Sequence, residues 1–262
     1  MDAGISGFRT LITGGPTGIG FAIAKGLAQE GANLVLASLS PGLESAQQLR
    51  DLGVGAEWIH ADVSSEAGVV SMVENAVQVF GGIDLFVNNA AGSWHEPITK
   101  LTSAAWEKTL GTNLAACAYA CREVGRHFIE QGHGSILIVG STAAHVPLYR
   151  EAAYRVSKAG LKSLMEVVAI ELIPYGIRVN LLTPGAFLTD LTKDLPARQM
   201  GGPFIPSRRP GETSELAAAA TLLLSDRLSS YTVGAELVVD GGFRLRPMDL
   251  LTDEEISGLN AL

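Results

Sequence analysis

A chain of 262 residues is long enough to bury one large α/β core and does not have to divide into two domains. Although 47% of it is apolar, no uninterrupted run nears the roughly 20 residues of a membrane helix. The net charge of -8 argues against general binding of nucleic acid or anionic membranes, and residues 1–9 lack the basic and apolar segments of a secretory leader, so a cytoplasmic protein is expected.

Residues 8–13 form a short apolar strand that runs into Gly14-Gly15-Pro16-Thr17-Gly18-Ile19-Gly20, and residues 21–30 carry apolar positions at helical spacing. Strand, glycine-rich turn and helix together make a phosphate site. Small residues let the backbone approach a pyrophosphate, and the helix N-terminus offers it free N–H groups. The spacing is Gly-x-x-x-Gly-x-Gly, without the Gly-Lys-Ser/Thr of a nucleotide-hydrolysing loop. A second strand spans 33–37. Ser38 then stands about 20 residues past the glycines, where NAD-selective dinucleotide folds place an acid. Serine does not repel a 2′-phosphate, yet neither Thr17 nor Leu39 supplies a cation to bind one. NADP or NAD both remain open, and the missing repulsion favours NADP.

The alternation continues with a helix over 41–52, a strand over 56–61, a helix over 66–80, and a strand over 83–88 that ends in Asn88-Asn89-Ala90-Ala91-Gly92. One long helix is expected over 103–130, containing Asn113. A strand over 135–141 ends at Ser141, a helix covers 152–174, and a strand over 177–182 closes at Thr183-Pro184-Gly185. Residues 186–210 lose the pattern for longer than an ordinary connection and read as a substrate lid. A helix over 213–225 and a last strand over 235–240 precede a tail over 243–262. Seven strands alternating with helices predict a single doubly wound α/β domain with a parallel sheet covered on both faces. Cys117 and Cys121, the only cysteines, read as buried or interface thiols, and the five histidines form no metal-binding spacing.

Tyr154 and Lys158 are i and i+4 on the 152–174 helix, so they share a face. A free phenol titrates near 10, and a neighbouring ammonium is expected to lower that value toward the useful range for proton exchange. Ser141 sits at the carboxyl end of a strand, where catalytic groups of open α/β sheets collect, and its hydroxyl is suited to polarising a carbonyl. Taken singly, Asn113 is also consistent with a local backbone partner and Asp62 with a helix N-cap. Ser141 lies outside any Gly-x-Ser-x-Gly, which disfavours a hydrolase.

Over about residues 7–242 these motifs together resemble the short-chain dehydrogenase/reductase family, with its Rossmann-like fold. The resemblance implies cofactor contacts from Gly14, Thr17, Gly18, Ile19, Gly20 and Ser38, from the adenine-side pair Asp62 and Val63, and from Asn89 and Ala90. Pro184 and Gly185 would lie beside the nicotinamide, and Thr189 would touch the cofactor's phosphates or carboxamide. Ala91 departs from the family's usual glycine, with Gly92 one place later. The family's catalytic positions fall on Asn113, Ser141, Tyr154 and Lys158. Hydride transfer between NAD(P) and a secondary alcohol or ketone is then expected, with Tyr154 as acid for reduction and base for oxidation. Lys158 would lower the tyrosine's pKa and hold the ribose hydroxyls, Ser141 would bond the substrate oxygen, and Asn113 would hold a water linking Lys158 to solvent. The resemblance also implies a homotetramer built through the long helices and the last strand.

Trp94, His95, Tyr149, Arg150, Phe187, Arg208 and Arg209 fall on segments expected around the substrate. Their aromatic and cationic mix suggests a polar small molecule such as a sugar, a sugar acid or another anionic hydroxy compound. The alternatives are a reductase of an apolar or acyl carbonyl, or a dinucleotide-binding sensor or scaffold that has lost its chemistry.

Overall fold

A computed structural model describes residues 2–189 and 205–245. The first half of the chain lays down β1 (Arg9–Thr13), α1 (Gly18–Gln29), β2 (Asn33–Ser38), α2 (Leu43–Arg50), β3 (Ala56–His60), α3 (Glu66–Phe80) and β4 (Leu85–Asn88). It continues through α4 (Ser103–Leu110), α5 (Ala116–Gln131), β5 (Gly134–Val139), α6 (Ala152–Leu172) and β6 (Ile177–Pro184). The two-residue strands β7 (Phe187–Leu188) and β8 (Gly211–Glu212), the helices α7 (Thr213–Leu224) and α8 (Asp226–Ser229), and β9 (Glu236–Val239) complete it.

The main sheet runs β3-β2-β1-β4-β5-β6-β9, every pair parallel. A parallel sheet needs crossovers that cover both faces, and its central strands are accordingly buried and largely apolar; all eight residues of β6 are buried, and its polar Arg178, Asn180 and Thr183 are each hydrogen-bonded. One core packs Phe86, Phe128 and Met165 under α3, α5 and α6; the other packs Ile12, Leu27 and Leu223 under α1 and α7. The strand order reverses between β1 and β4. In such a sheet the crevice beyond the carboxyl ends at that reversal is where a ligand sits.

The helix expected over 103–130 divides. Between α4 and α5 the backbone makes a π turn at Gly111–Ala115, which contains Asn113. Glycine and asparagine are weak helix formers, so the wider turn costs little there, and the hydrogen bonds described below hold it. The lid segment is tied at its described ends by parallel pairing of β7 with β8; its residues 190–204 lie outside the described residues. Of the tail, residues 243–245 form a 3-10 turn whose Phe243 packs on Val146 and Ile205, and 246–262, including Arg246, lie outside the described residues.

At the opposite end of the sheet Asp84 joins β1 to the start of β4. Its Oδ2 accepts from the Arg9 backbone N–H and from Arg9 Nε, both at 2.8 Å, and its Oδ1 accepts from Arg9 Nη2 at 2.6 Å and lies 3.0 Å from His133 Nε2. Burial alone would raise the carboxyl's pKa, but the hydrogen bonds from Arg9 and His133 win and bring it down to about 2. A depressed pKa contributes stability above the unfolded value near 4 and loses it as pH falls toward 2. Asp84→Asn should therefore cost about 2 kcal/mol at pH 7. In urea unfolding the gap between the two proteins should close as the pH is lowered from 4 toward 2.

Candidate active site

The crevice at the strand reversal is stitched together by two side chains. Thr13 Oγ1 accepts from the backbone N–H of Asn89 and of Ala90, each at 3.0 Å, and Asn89 Nδ2 donates to the carbonyls of Thr13 and Gly14, each at 3.1 Å. The turn they hold needs its glycines. Gly14 is left-handed at φ 63°, and a Cβ on Gly20 would stand 2.2 Å from the Gly14 carbonyl oxygen. α1 starts after an extended Thr17 that makes no side-chain cap, with no acidic residue in the first turn. Its leading N–H groups are thus available to an anion. Thr189 faces the same turn, its methyl 3.7 Å from where a Gly18 Cβ would be. Ile19 and Val63 pack at the edges of the two cores. Past β6, the Gly185 N–H donates to Val239 O at 2.9 Å, which fixes the Pro184-Gly185 turn against the end of β9. These residues fit a dinucleotide.

The adenine side carries no charge at Ser38. Its hydroxyl donates to Ser40 O at 2.6 Å and accepts from Trp58 Nε1 at 3.0 Å. Asp62 is not an N-cap: α3 is capped by Ser65, whose Oγ accepts from Gly68 at 3.2 Å. Asp62 Oδ1 instead accepts the Ser64 N–H at 2.9 Å, which holds its carboxyl below the ordinary range.

Tyr154 and Lys158 do share a face of α6, at the carboxyl end of β5. Lys158 is only 4% exposed; its Nζ donates to Val139 O at 3.0 Å and lies 5.7 Å from the centre of the Tyr154 ring. Burial brings the lysine pKa down to about 8. The expected lowering of the tyrosine pKa is reversed: burial raises it, a hydrogen bond from Ser141 opposes that, and the charge of Glu151 adds to the rise. The ammonium is committed to the Val139 carbonyl rather than to the phenol, so desolvation dominates. Tyr154 holds its proton at neutral pH, poised as a donor. Ser141 Oγ, beside it, accepts the Ala143 N–H at 3.1 Å.

Asn113 serves as a brace. Its Oδ1 accepts the Gly92 N–H at 2.8 Å, and its Nδ2 donates to Gly92 O at 2.9 Å and to Ser157 Oγ at 3.0 Å; that hydroxyl donates to Tyr154 O at 2.7 Å. The shifted glycine at 92 is thereby the residue the brace grips. Ser157, a short polar residue beside Lys158 on the inward face of α6, was legible only as a helix position. Cys117, one turn past Asn113, is buried, and its hydrogen bond to Cys121 together with burial raises its thiol pKa.

Of the residues expected around the substrate, the structure brings together His95, Arg150 and the unforeseen Glu151. Arg150 Nη2 donates to His95 O at 3.1 Å, and His95 Nδ1 lies 3.4 Å from Glu151 Oε1. Trp94 is half-buried, with Lys108 Nζ 4.9 Å over its ring. Tyr149 is 85% exposed. Two of these side chains are engaged within the fold. Phe187 is 6% exposed, packs in the core beneath α1 and α7, and lines a small cavity with Ser207 and Asp240. Arg209 makes paired 2.8 Å bonds to Glu215 on α7, which removes it as an anion-binding group. Arg208 occupies a left-handed turn position at φ 60°. A cavity of about 760 Å³ opens elsewhere, between α1 and α7, reaching the nucleotide turn at Gly18 and Thr189. Tyr154 does not line it.

Residues 14–244 match the sequence profile of a family described as enoyl-(acyl carrier protein) reductase. A sorbose reductase of Schizosaccharomyces pombe is 36% identical over 248 residues, covering 91% of this chain and 96% of its own. An NADP-dependent mannitol dehydrogenase of Hypocrea jecorina is 34% identical over 252 residues, covering 92% and 94%. The crystal structure of L-sorbose reductase from Gluconobacter frateurii, complexed with NADPH and L-sorbose, superposes with a TM-score of 0.87 at 34% identity, covering 93% of this chain and 99% of that one.

Gly20→Ala should drive its methyl into the Gly14 carbonyl and raise the dissociation constant for dinucleotide at least about 10-fold, read by fluorescence titration. Asn113→Ala leaves Gly92 and Ser157 without their buried partners. A loss of about 2–3 kcal/mol in chemical denaturation is expected.

Proposed function

The chain belongs to the short-chain dehydrogenase/reductase family, and from that membership we propose that it transfers a hydride between NAD(P) and a secondary alcohol or ketone of a polar, hydroxyl-rich small molecule. The observation that carries this reading is the placing of Ser141, Tyr154 and Lys158 beside the dinucleotide crevice, at the carboxyl end of β5. The sorbose and mannitol enzymes among its relatives support a polyol or ketose as the class of substrate.

In the reducing direction Ser141 bonds the substrate oxygen, which lowers the cost of charge developing there. Tyr154 delivers its phenolic proton to that oxygen. The glycine-rich turn and the N-terminus of α1 would hold the pyrophosphate, and Lys158 would hold the nicotinamide ribose by hydrogen bonding. NAD(P), when bound, would supply or accept the hydride, and in the oxidising direction Tyr154 would take up the alcohol proton. NADP is the preferred form because the end of β2 carries the neutral, internally bonded Ser38 where a carboxylate would repel the 2′-phosphate.

The outer face of α6 carries Val156, Val167 and Ile170 at 47%, 50% and 72% exposure, which supports assembly through this helix into a homotetramer. The two unpaired buried thiols support a cytoplasmic location. Among the described residues no helix is long and apolar enough to cross a membrane.

Tyr154→Phe should lower kcat at least about 100-fold while leaving cofactor affinity nearly unchanged, measured by reduced-cofactor absorbance and by titration. Because burial holds the Tyr154 proton, ketone reduction should be level across neutral pH and fall in the alkaline range, whereas alcohol oxidation should rise with pH above neutral. Paired pH–rate profiles test the sign. Light scattering at four times the 27.4 kDa chain mass would support the tetramer; the mass of a monomer would exclude it.

A further inference from the structure

β2 and β3 run parallel, with Leu36 opposite Trp58 and Ser38 opposite His60. Trp58 and Ser38 are therefore diagonal neighbours on one face of the sheet, a separation that a long side chain spans. The indole does span it: the half-buried Trp58 donates from Nε1 to Ser38 Oγ at 3.0 Å. The same ring supports the loop between β2 and α2. A Cβ on Gly42 would stand 2.7 Å from Trp58 Cδ1 and 2.5 Å from Pro16 Cγ, so only glycine fits between the indole and the glycine-rich turn. Ser45, in the first turn of α2, closes the arrangement by donating from Oγ to Pro16 O at 2.8 Å. Trp58 thus fixes the wall on which the far end of a dinucleotide would rest.

An indole N–H can donate and never accept. Because it is aimed at the Ser38 oxygen, the serine's own proton must point elsewhere, and it goes to Ser40 O at 2.6 Å. Ser38 is in this way presented as a donor, engaged by a neutral carbonyl two residues on. A phosphate monoester offers acceptor oxygens that carry charge, and a hydroxyl bonds these more strongly than it bonds a carbonyl. A ribose 2′-hydroxyl offers no such gain. Leu39, next to Ser38, is 60% exposed and brings neither a carboxylate to repel a phosphate nor a cation to bind it.

We propose that Trp58 is a positioning residue for cofactor choice: its N–H turns the Ser38 hydroxyl into a donor for the 2′-phosphate of NADP(H). This inference rests on the oxidoreductase reading above and deepens it. One hydrogen bond from a neutral hydroxyl sets the size of the preference, about 3- to 10-fold in dissociation constant.

Fluorescence titration of NADPH and NADH onto wild type, Trp58→Phe, Ser38→Ala and the double variant tests it. Wild type should bind NADPH the more tightly by that factor. Trp58→Phe keeps an aromatic ring and removes the N–H; it should bring the ratio close to 1, with the loss falling on NADPH. Ser38→Ala should do the same, and adding Trp58→Phe to it should move the ratio no further. A tryptophan that only fills space would weaken both cofactors alike, in either background. Equal wild-type affinities, a preference for NADH, a ratio unmoved by Trp58→Phe, or an effect on the ratio that persists in the Ser38→Ala background overturns the inference. Binding of neither cofactor overturns the oxidoreductase reading and the inference with it. A retained NADPH preference that depends on Trp58, without turnover of any ketone or alcohol, upholds the inference and counts against the oxidoreductase reading alone.

Discussion

The amide of Asn113 is the joint on which the site depends. One planar group grips both the N–H and the C=O of Gly92 and reaches Ser157, whose hydroxyl ends on the carbonyl of Tyr154. The loop after β4, the π turn and the first turn of α6 therefore move as one piece. The π turn follows from this demand, since a regular helix has no reason to widen at that point. A brace made of hydrogen bonds suits a buried location better than an apolar contact would. It satisfies polar backbone that water cannot reach, and it fixes orientation as well as distance.

The same burial that makes the brace effective sets the electrostatics. Lys158 is nearly out of solvent, so its ammonium is destabilised and turns to the nearest dipole, the Val139 carbonyl. Tyr154, in the same apolar surroundings, keeps its proton. The pair is arranged as a protonated phenol beside a weakened cation. At the far end of the sheet the balance goes the other way: Asp84 is also buried, but the direct hydrogen bonds from Arg9 outweigh desolvation. The Tyr154 phenol and the Asp84 carboxyl thus shift in opposite directions according to whether the hydrogen bonds they receive outweigh desolvation.

Architecture was legible in the chain because it rests on local signals. Strand ends, the glycine-rich turn and the Tyr154–Lys158 spacing are short-range patterns, and all seven strands of the sheet lie where the apolar runs place them. Side-chain destinations were less so. Phe187 looks like a pocket aromatic until β7 pairs with β8 and turns it into the core, and Arg209 looks available until α7 places Glu215 against it. The direction of the tyrosine shift depended on which oxygen the lysine found, a contact 19 residues apart in the chain. Glu151, the N-cap residue of α6, carried no signal of its own.

Val146, Ile205 and Phe243 form a small third cluster of their own. Val146 belongs to the loop that carries Ser141, while Phe243 lies near the far end of the described chain. His145 repeats the pattern through its 2.6 Å contact with Glu236 on β9. On a ribosome, where the N-terminal part emerges and begins to fold first, the Ser141 loop stays without its packing partners until almost the whole chain has been made. A nascent chain halted after β6 would hold the glycine-rich turn, Tyr154 and Lys158, yet lack Ile205, Glu236 and Phe243, which close over the loop between them. The packing around the loop that carries Ser141 is therefore completed late in synthesis.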